Sequence, residues 1–500
     1  MNAHNVVRPI PAATTPRLET TALRRFVPLA ALIAVAAVLR FALLDQQSFW
    51  YDEAWTVGLL QKSLFGMLAA LSHREATPPL YFALAWVWSR VFGSGEVGLR
   101  ALSALLGTAT VPVSYMAGRV LVSHRTGLFA AALVTFSPLL IWYSQEARAY
   151  ALLAFLSALS LLAFGFALQR PTPRALAFWA VVACLALATH YFSVFLLGPQ
   201  AAWLLFAHRQ RRAAWVAVGA AAAAELALLP LAREQQHVPT GWIAAIPLAT
   251  RVREVLRQFV TGQYQPLSHV AIMLTLLALG LVVAGLVYVS EGRERQGGAI
   301  ALTLGAIAVL APLALTTTHF DKFYYRNLIG AWIPLAIAFA IVCASRRAGR
   351  FGYAVVAAAC ALELASAVAV FDRSALQRDD WRSATKAVGS KKEARAIITD
   401  PFFERVAIEL YRPTTHVMAA AGAQVREIVF LGHSPLPLQF RPPTGFELVE
   451  QRRIQNLALV RFRSAVPRTV TPKGLAARGG LSPSGVLLDS GSSSESTAAR

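Results

Sequence analysis

Charge is scarce in this chain, and acid scarcest: 15% of its 500 residues are charged, with 26 Asp and Glu against 47 Lys and Arg. With 56% hydrophobic residues spread over many long runs, that scarcity excludes a large soluble enzyme and defines a polytopic membrane protein. Cysteine is nearly absent as well. Cys184, Cys343 and Cys360 all fall inside apolar runs, where they act as small hydrophobes rather than as disulfides or metal ligands. No conventional metal-ligand cluster is visible, which argues against a tightly held structural zinc. The formal net charge of +21 would fit a nucleic-acid partner if the basic residues gathered on one soluble surface. They do not, so the partners expected are membrane lipids and no nucleic acid.

The basic residues sit in short clusters between apolar runs, among them Arg24 and Arg25, Arg119 and Arg125, Arg170 and Arg174, Arg209 with Arg211 and Arg212, Arg293 and Arg295, and Arg346 with Arg347 and Arg350. This is the pattern of cytoplasmic loops. Placing each cluster inside gives spans near 26–44, 98–118, 127–143, 149–168, 175–189, 191–207, 214–232, 268–289, 298–318, 327–344 and 351–371. About eleven crossings follow, with the N-terminus cytoplasmic and the chain leaving the last span on the outer side. The run 79–92 is too short for a full crossing and reads as a juxtamembrane or re-entrant helix. Residues 1–23 lack apolar character and read as a disordered cytoplasmic leader, and the run that follows is too long for a signal-peptide core.

This topology brings the polar groups that are hardest to explain to one face. Asp52 and Glu53 follow the first span in Ser48-Phe49-Trp50-Tyr51-Asp52-Glu53-Ala54-Trp55, flanked by aromatics of the kind that settle at headgroup level. His73, Arg74 and Glu75, then Glu146 and Arg148, then His190 and Tyr191, and finally Asp321, Lys322, Tyr324, Tyr325 and Arg326 share that side. A guanidinium at the end of an apolar span needs a partner, and a phosphate accepts two charge-assisted hydrogen bonds from it. Internal pairs, Arg148 with Glu146 and Arg326 with Asp321, are the other outcome.

Four stretches also carry a resemblance. Tyr51-Asp52-Glu53-Ala54, Pro78-Pro79-Leu80-Tyr81, Gly98-Leu99-Arg100-Ala101-Leu102-Ser103-Ala104 and Trp142-Tyr143-Ser144-Gln145-Glu146-Ala147-Arg148-Ala149-Tyr150-Ala151-Leu152 resemble bacterial GT-C glycosyltransferases of family 39. These are relatives of the protein O-mannosyltransferases and of the lipid A aminoarabinose transferase. The likeness extends more weakly through His190-Tyr191 to Phe323-Tyr324-Tyr325-Arg326-Asn327-Leu328, covering roughly residues 25 to 370. It implies a GT-C fold and transfer of a sugar from a polyprenyl-phosphate donor to a lipid, glycan or protein acceptor at the extracytoplasmic face of the cell membrane. It also implies that Asp52 is the general base and Glu53 its neighbour in positioning. One departure stands out: Thr77 occupies the place before Pro-Pro-Leu-Tyr where family members commonly carry His, and His73 lies four residues upstream.

The chemistry read from the residues agrees. An acceptor hydroxyl needs a base, for which a carboxylate serves, and a departing lipid phosphate needs fixed cations. Arg148 and Arg326 are the first candidates to hold that phosphate, with Lys322 and Arg74 behind them. Glu146, His190, Tyr191, Tyr325 and His73 are candidates for sugar or acceptor contacts. The residues specify no cofactor with certainty, and a weakly bound magnesium or manganese near Asp52 and Glu53 stays open. The rival reading is a transporter or flippase of a lipid-linked glycan, but transporters put polar groups near the midplane of broken helices, and no internal repeat is visible.

After Phe371 the composition changes to strand-like 394–399, helix-like 402–411 and strand-like 427–431 and 457–462. These describe a small α/β domain over 372–465, on the extracytoplasmic side, with a disordered Pro-, Gly- and Ser-rich tail over 466–500. The fold class expected is therefore an all-α polytopic membrane domain over 24–371 joined to a small C-terminal α/β domain.

Overall fold

The computed structural model describes residues 18–238, 241–318, 320–390, 393–435 and 439–490, with side chains from Phe26 onward. Most of the expected leader and the last ten residues of the expected tail therefore lie outside the described residues, and the first helix already begins at Leu18. Each expected span has a helical counterpart. Seven helices are long and apolar enough to cross a membrane, or eight when the bent pair His124–Phe136 and Pro138–Ser144 counts as one span. Phe26–Phe41, Leu80–Phe92 and Pro173–Leu187 are shorter apolar helices.

The 60° bend in that pair has a chemical cause. Pro138 has no N–H to give to the carbonyl of Val134, so the ladder breaks at Ser137. In an apolar bundle the freed carbonyls need another donor. Arg40, fully buried on the first helix, supplies it, donating to Val134 O at 2.7 Å and Thr135 O at 3.1 Å. Gly107 lets the helix Glu96–Leu121 approach this corner, since a Cβ there would lie 2.0 Å from Ser144 Oγ.

The two ends of the bundle differ. Arg125 donates to Gly349 O at 2.6 Å and Arg293 to Val120 O at 3.0 Å, so the loops at 120–125, 292–293 and 345–349 share one end. This is the end where the basic clusters were expected to gather. The acidic loops meet at the other, on which the C-terminal domain rests.

That domain is a six-stranded sheet of β1 (Arg395–Ile398), β2 (Thr415–Val417), β3 (Ala423–Gly432), β4 (Glu447–Ile454), β5 (Leu457–Val470) and β6 (Val486–Asp489), in the order β2-β6-β1-β3-β5-β4. Only β1 and β3 run parallel, with the helix Arg405–Tyr411 in the connection between them. Alternation along β3 sends Ile428 and Phe430 to one apolar layer and Val429 and Leu431 to the other. The second layer also holds Trp381, Ile408 and Ala54, so the sheet domain packs directly on the segment bearing the acidic pair. The boundary expected at 465 falls inside β5, and β6 inserts beside β1. The Pro- and Gly-containing stretch after 465 thus belongs to the sheet domain as far as Asp489, because the apolar Val486-Leu487-Leu488 outweighs the turn-rich residues before it.

Candidate active site

Asp52 and Glu53 open the helix Tyr51–Leu60, and neighbouring positions on a helix point about 100° apart. Their fates differ accordingly. Glu53 is fully buried and takes a two-pronged ion pair from Arg100, at 2.8 and 2.5 Å, and the backbone N–H of Ala147 at 2.8 Å. Burial raises a carboxyl's pKa, but here the Arg100 guanidinium outweighs it and holds Glu53 below the ordinary range. Arg100 spends its remaining donors on Leu44 O, Gln47 O and Ser48 O. Glu53 therefore fixes the loop after the first span, with both of its oxygens engaged by Arg100.

Asp52 points the other way. Among the described residues its one side-chain partner is Arg326, Nη1 to Oδ2 at 3.0 Å, with the two side chains 16% and 12% exposed. Arg326 lies among ring faces, 5.1 Å from Trp242, 5.9 Å from Tyr324 and 6.0 Å from Tyr150. One helical turn along from Asp52, Thr56 donates to Asp52 O and receives a long contact of 3.4 Å from Arg148. Arg148 in turn makes a bidentate pair with Glu75, at 2.6 and 2.9 Å.

The internal pairs expected from the sequence are thus exchanged. Arg326 pairs with Asp52 rather than Asp321, which Arg251 takes at 2.5 and 2.7 Å. Arg148 pairs with Glu75 rather than Glu146, which lies buried against Arg378 at 2.9 Å. Burial, partly offset by Arg378, raises the Glu146 carboxyl above its usual range. Arg378 is stacked 4.0 Å over Trp142, so the linker to the sheet domain is bolted to the loop at 142–148.

The remaining expected residues divide. His190 is buried beside the cluster, its Nδ1 accepting from the N–H of Phe192. Burial, then the nearby Arg326, Arg148 and Lys322, push its imidazole down to about 3, so it is neutral at physiological pH. Lys322 is half-buried, 5.7 Å from the ring of Phe320. Tyr325 lies 4.4 Å from Tyr324, next to Arg326. Tyr191 instead donates to Gln235, which holds Leu71 O and Thr77 O, and so ties loops together. His73 and Arg74 are exposed, Arg74 lying 5.5 Å over Trp55, and neither reaches the cluster. The roles expected for Tyr191, His73 and Arg74 do not follow from these positions.

Glu75, which the sequence placed on this face without a role, joins the cluster as the partner of Arg148, and Arg100, Thr56, Trp242 and Arg378 belong to it without having been singled out as site candidates. The signal for Arg100 was in plain view, since it opens an apolar span and an intramembrane charge always needs a partner. Trp242 carried no such signal.

Residues 76–232 match the family model described as dolichyl-phosphate-mannose-protein mannosyltransferase. That stretch, about a third of the chain, is similar to a family of membrane glycosyltransferases. No curated protein matches it in a sequence comparison. Among solved structures it is similar to the protein O-mannosyltransferase Pmt1–Pmt2 complex of S. cerevisiae bound to the sugar donor, at 18% identity over 43% of this chain and 34% of that one, TM-score 0.34. It is also similar to ArnT from Cupriavidus metallidurans bound to undecaprenyl phosphate, at 13% identity over 86% and 97%, TM-score 0.42. The arabinofuranosyltransferase AftD from Mycobacteria gives 16% identity over 92% and 44%, TM-score 0.45. At such identities and TM-scores these likenesses bear on none of the site's chemistry.

Proposed function

We propose that the protein transfers a sugar, mannose-like in class, from a polyprenyl-phosphate donor to a hydroxyl of a lipid, glycan or protein acceptor at the extracytoplasmic face of the cell membrane. The observation that carries this reading is the pairing of Asp52 with Arg326. Among the described residues Asp52 keeps one oxygen free of other partners, and it stands against a cation that a phosphate can take over. The acceptor O–H gives its proton to Asp52 as its oxygen bonds to the anomeric carbon. The bond from that carbon to the phosphate oxygen breaks, and the lipid phosphate leaves with the electron pair and an added negative charge. Arg326, with Lys322 beside it, stabilises that charge, and one such contact is typically worth about 3 kcal/mol. Because Glu53 is sealed by Arg100, Asp52 is the accessible member of the pair, which supports direct displacement with inversion at the anomeric carbon.

The bland alternative is that the Asp52–Arg326 pair only holds the bundle end together. The test is transfer from a panel of polyprenyl-phosphate sugars by lipid-reconstituted protein, wild type beside Asp52→Asn. Turnover lost in the variant with donor binding kept is the expected result. No turnover with any donor, together with protein-dependent movement of a lipid-linked glycan across the bilayer, would replace the transferase reading with that of a transporter.

A further inference from the structure

We propose that Asp379, Glu404 and His433 form a divalent-cation site of zinc type at the junction between the sheet domain and the membrane bundle. The three residues come from separate elements: the linker after the helix Gly349–Asp372, the short turn Phe402–Glu404, and the residue following β3. One donor atom from each lies within 4.8 Å of the others, and among the described residues this is the one such group of three. The sequence hid it, because the ligands are 25 and 29 positions apart and belong to no spacing motif.

The independent sign of a missing ligand is Glu404. It is 4% exposed, and its Oε2 is buried with no hydrogen-bond partner among the described residues. A buried carboxylate oxygen left unpaired is costly, whereas a cation satisfies it. The other two ligands are held in place around it. Asn456 donates to Asp379 Oδ1 at 3.3 Å, leaving Oδ2 toward the cluster, and the backbone N–H of His433 donates to Asp400 O at 2.9 Å. His433 lies between the acids, Nδ1 2.7 Å from Glu404 Oε1 and Nε2 3.2 Å from Asp379 Oδ2. An ion entering here takes the place of a proton that the ring shares with a carboxylate, as metal binding to such ligands requires. A mixed imidazole and carboxylate set suits zinc, with bonds of about 2.1 Å and a fourth place left to water. The imidazole is 39% exposed, which gives the ion an entry path and the ring room to close on it.

The ion would act as a clamp. Phe403, next to Glu404, packs 4.9 Å from the ring of Tyr51, and Ser48 donates to Asp379 O at 3.0 Å, so both flanks of the site hang on the segment that carries Asp52.

The test uses tag-free, full-length, reconstituted protein. After equilibration with zinc and dialysis, wild type should keep about one more zinc per chain than Glu404→Gln. Its melting temperature should rise by several degrees in zinc and return with a chelator. Should the variant fail to fold, wild type loaded with Co2+ should still show the visible absorption of a low-coordinate site. Equal zinc in wild type and variant, or no Co2+ band and no shift in melting, would overturn the proposal and leave the cluster as an ion pair.

Discussion

The two ends of this bundle treat arginine in opposite ways. At the end under the sheet domain Arg100, Arg148 and Arg378 are buried against Glu53, Glu75 and Glu146, and Arg326 lies part-buried against Asp52. At the far end Arg125, Arg293 and Arg295 donate to carbonyls at helix C-terminal ends, those of Cys343, Val120 and Leu286, and the Arg347–Glu291 pair is more than half exposed. A cation at a helix C-terminus beside water needs no carboxylate, because the carbonyl dipoles and solvent suffice. A buried cation does need one. The scarce acid of this sequence is therefore concentrated where cations must be held out of water.

The comparison can be broken most severely at Arg100. Arg100→Ala leaves Glu53 charged and buried and orphans the carbonyls of the 44–48 loop, so it should cost about 3–5 kcal/mol, read as loss of folded protein in a thermal melt. Arg148→Lys keeps the charge but removes the fork on Glu75, for an expected loss of about 2 kcal/mol in the same assay.

Acid offers a milder way to separate the two ends. The His190 imidazole is held at about 3, below its ordinary 6.5, so the unfolded chain binds the proton that the folded one refuses. The stability it contributes is complete above about pH 6.5 and drains away as pH falls toward 3. Melting temperature followed from pH 7 to 4 should drop less steeply in His190→Gln than in wild type. At the far end, Arg347→Ala should change stability by less than about 1 kcal/mol and leave sugar transfer untouched.

How much of this could be read from the residues follows the same division. Apolar runs and basic clusters marked the spans and the end where those clusters gather, since both signals are local in sequence. The acidic pair and the arginines at 148 and 326 were legible because charge beside long apolar runs is conspicuous. Which carboxylate meets which arginine was not, because Asp52–Arg326 and Glu75–Arg148 join residues 274 and 73 positions apart. Nor did local pattern reveal β6, a four-residue strand whose place beside β1 depends on a sheet assembled earlier in the chain.

The central claim is that two adjacent carboxylates do different work, Asp52 in chemistry and Glu53 in structure. Asp52→Asn and Glu53→Gln, measured side by side for folded yield, donor binding and turnover per folded molecule, test it most directly. The account predicts that Asp52→Asn folds and binds donor but loses turnover on the order of 10²–10⁴-fold, whereas Glu53→Gln loses folded yield. An Asp52→Asn protein that turns over like wild type would contradict it.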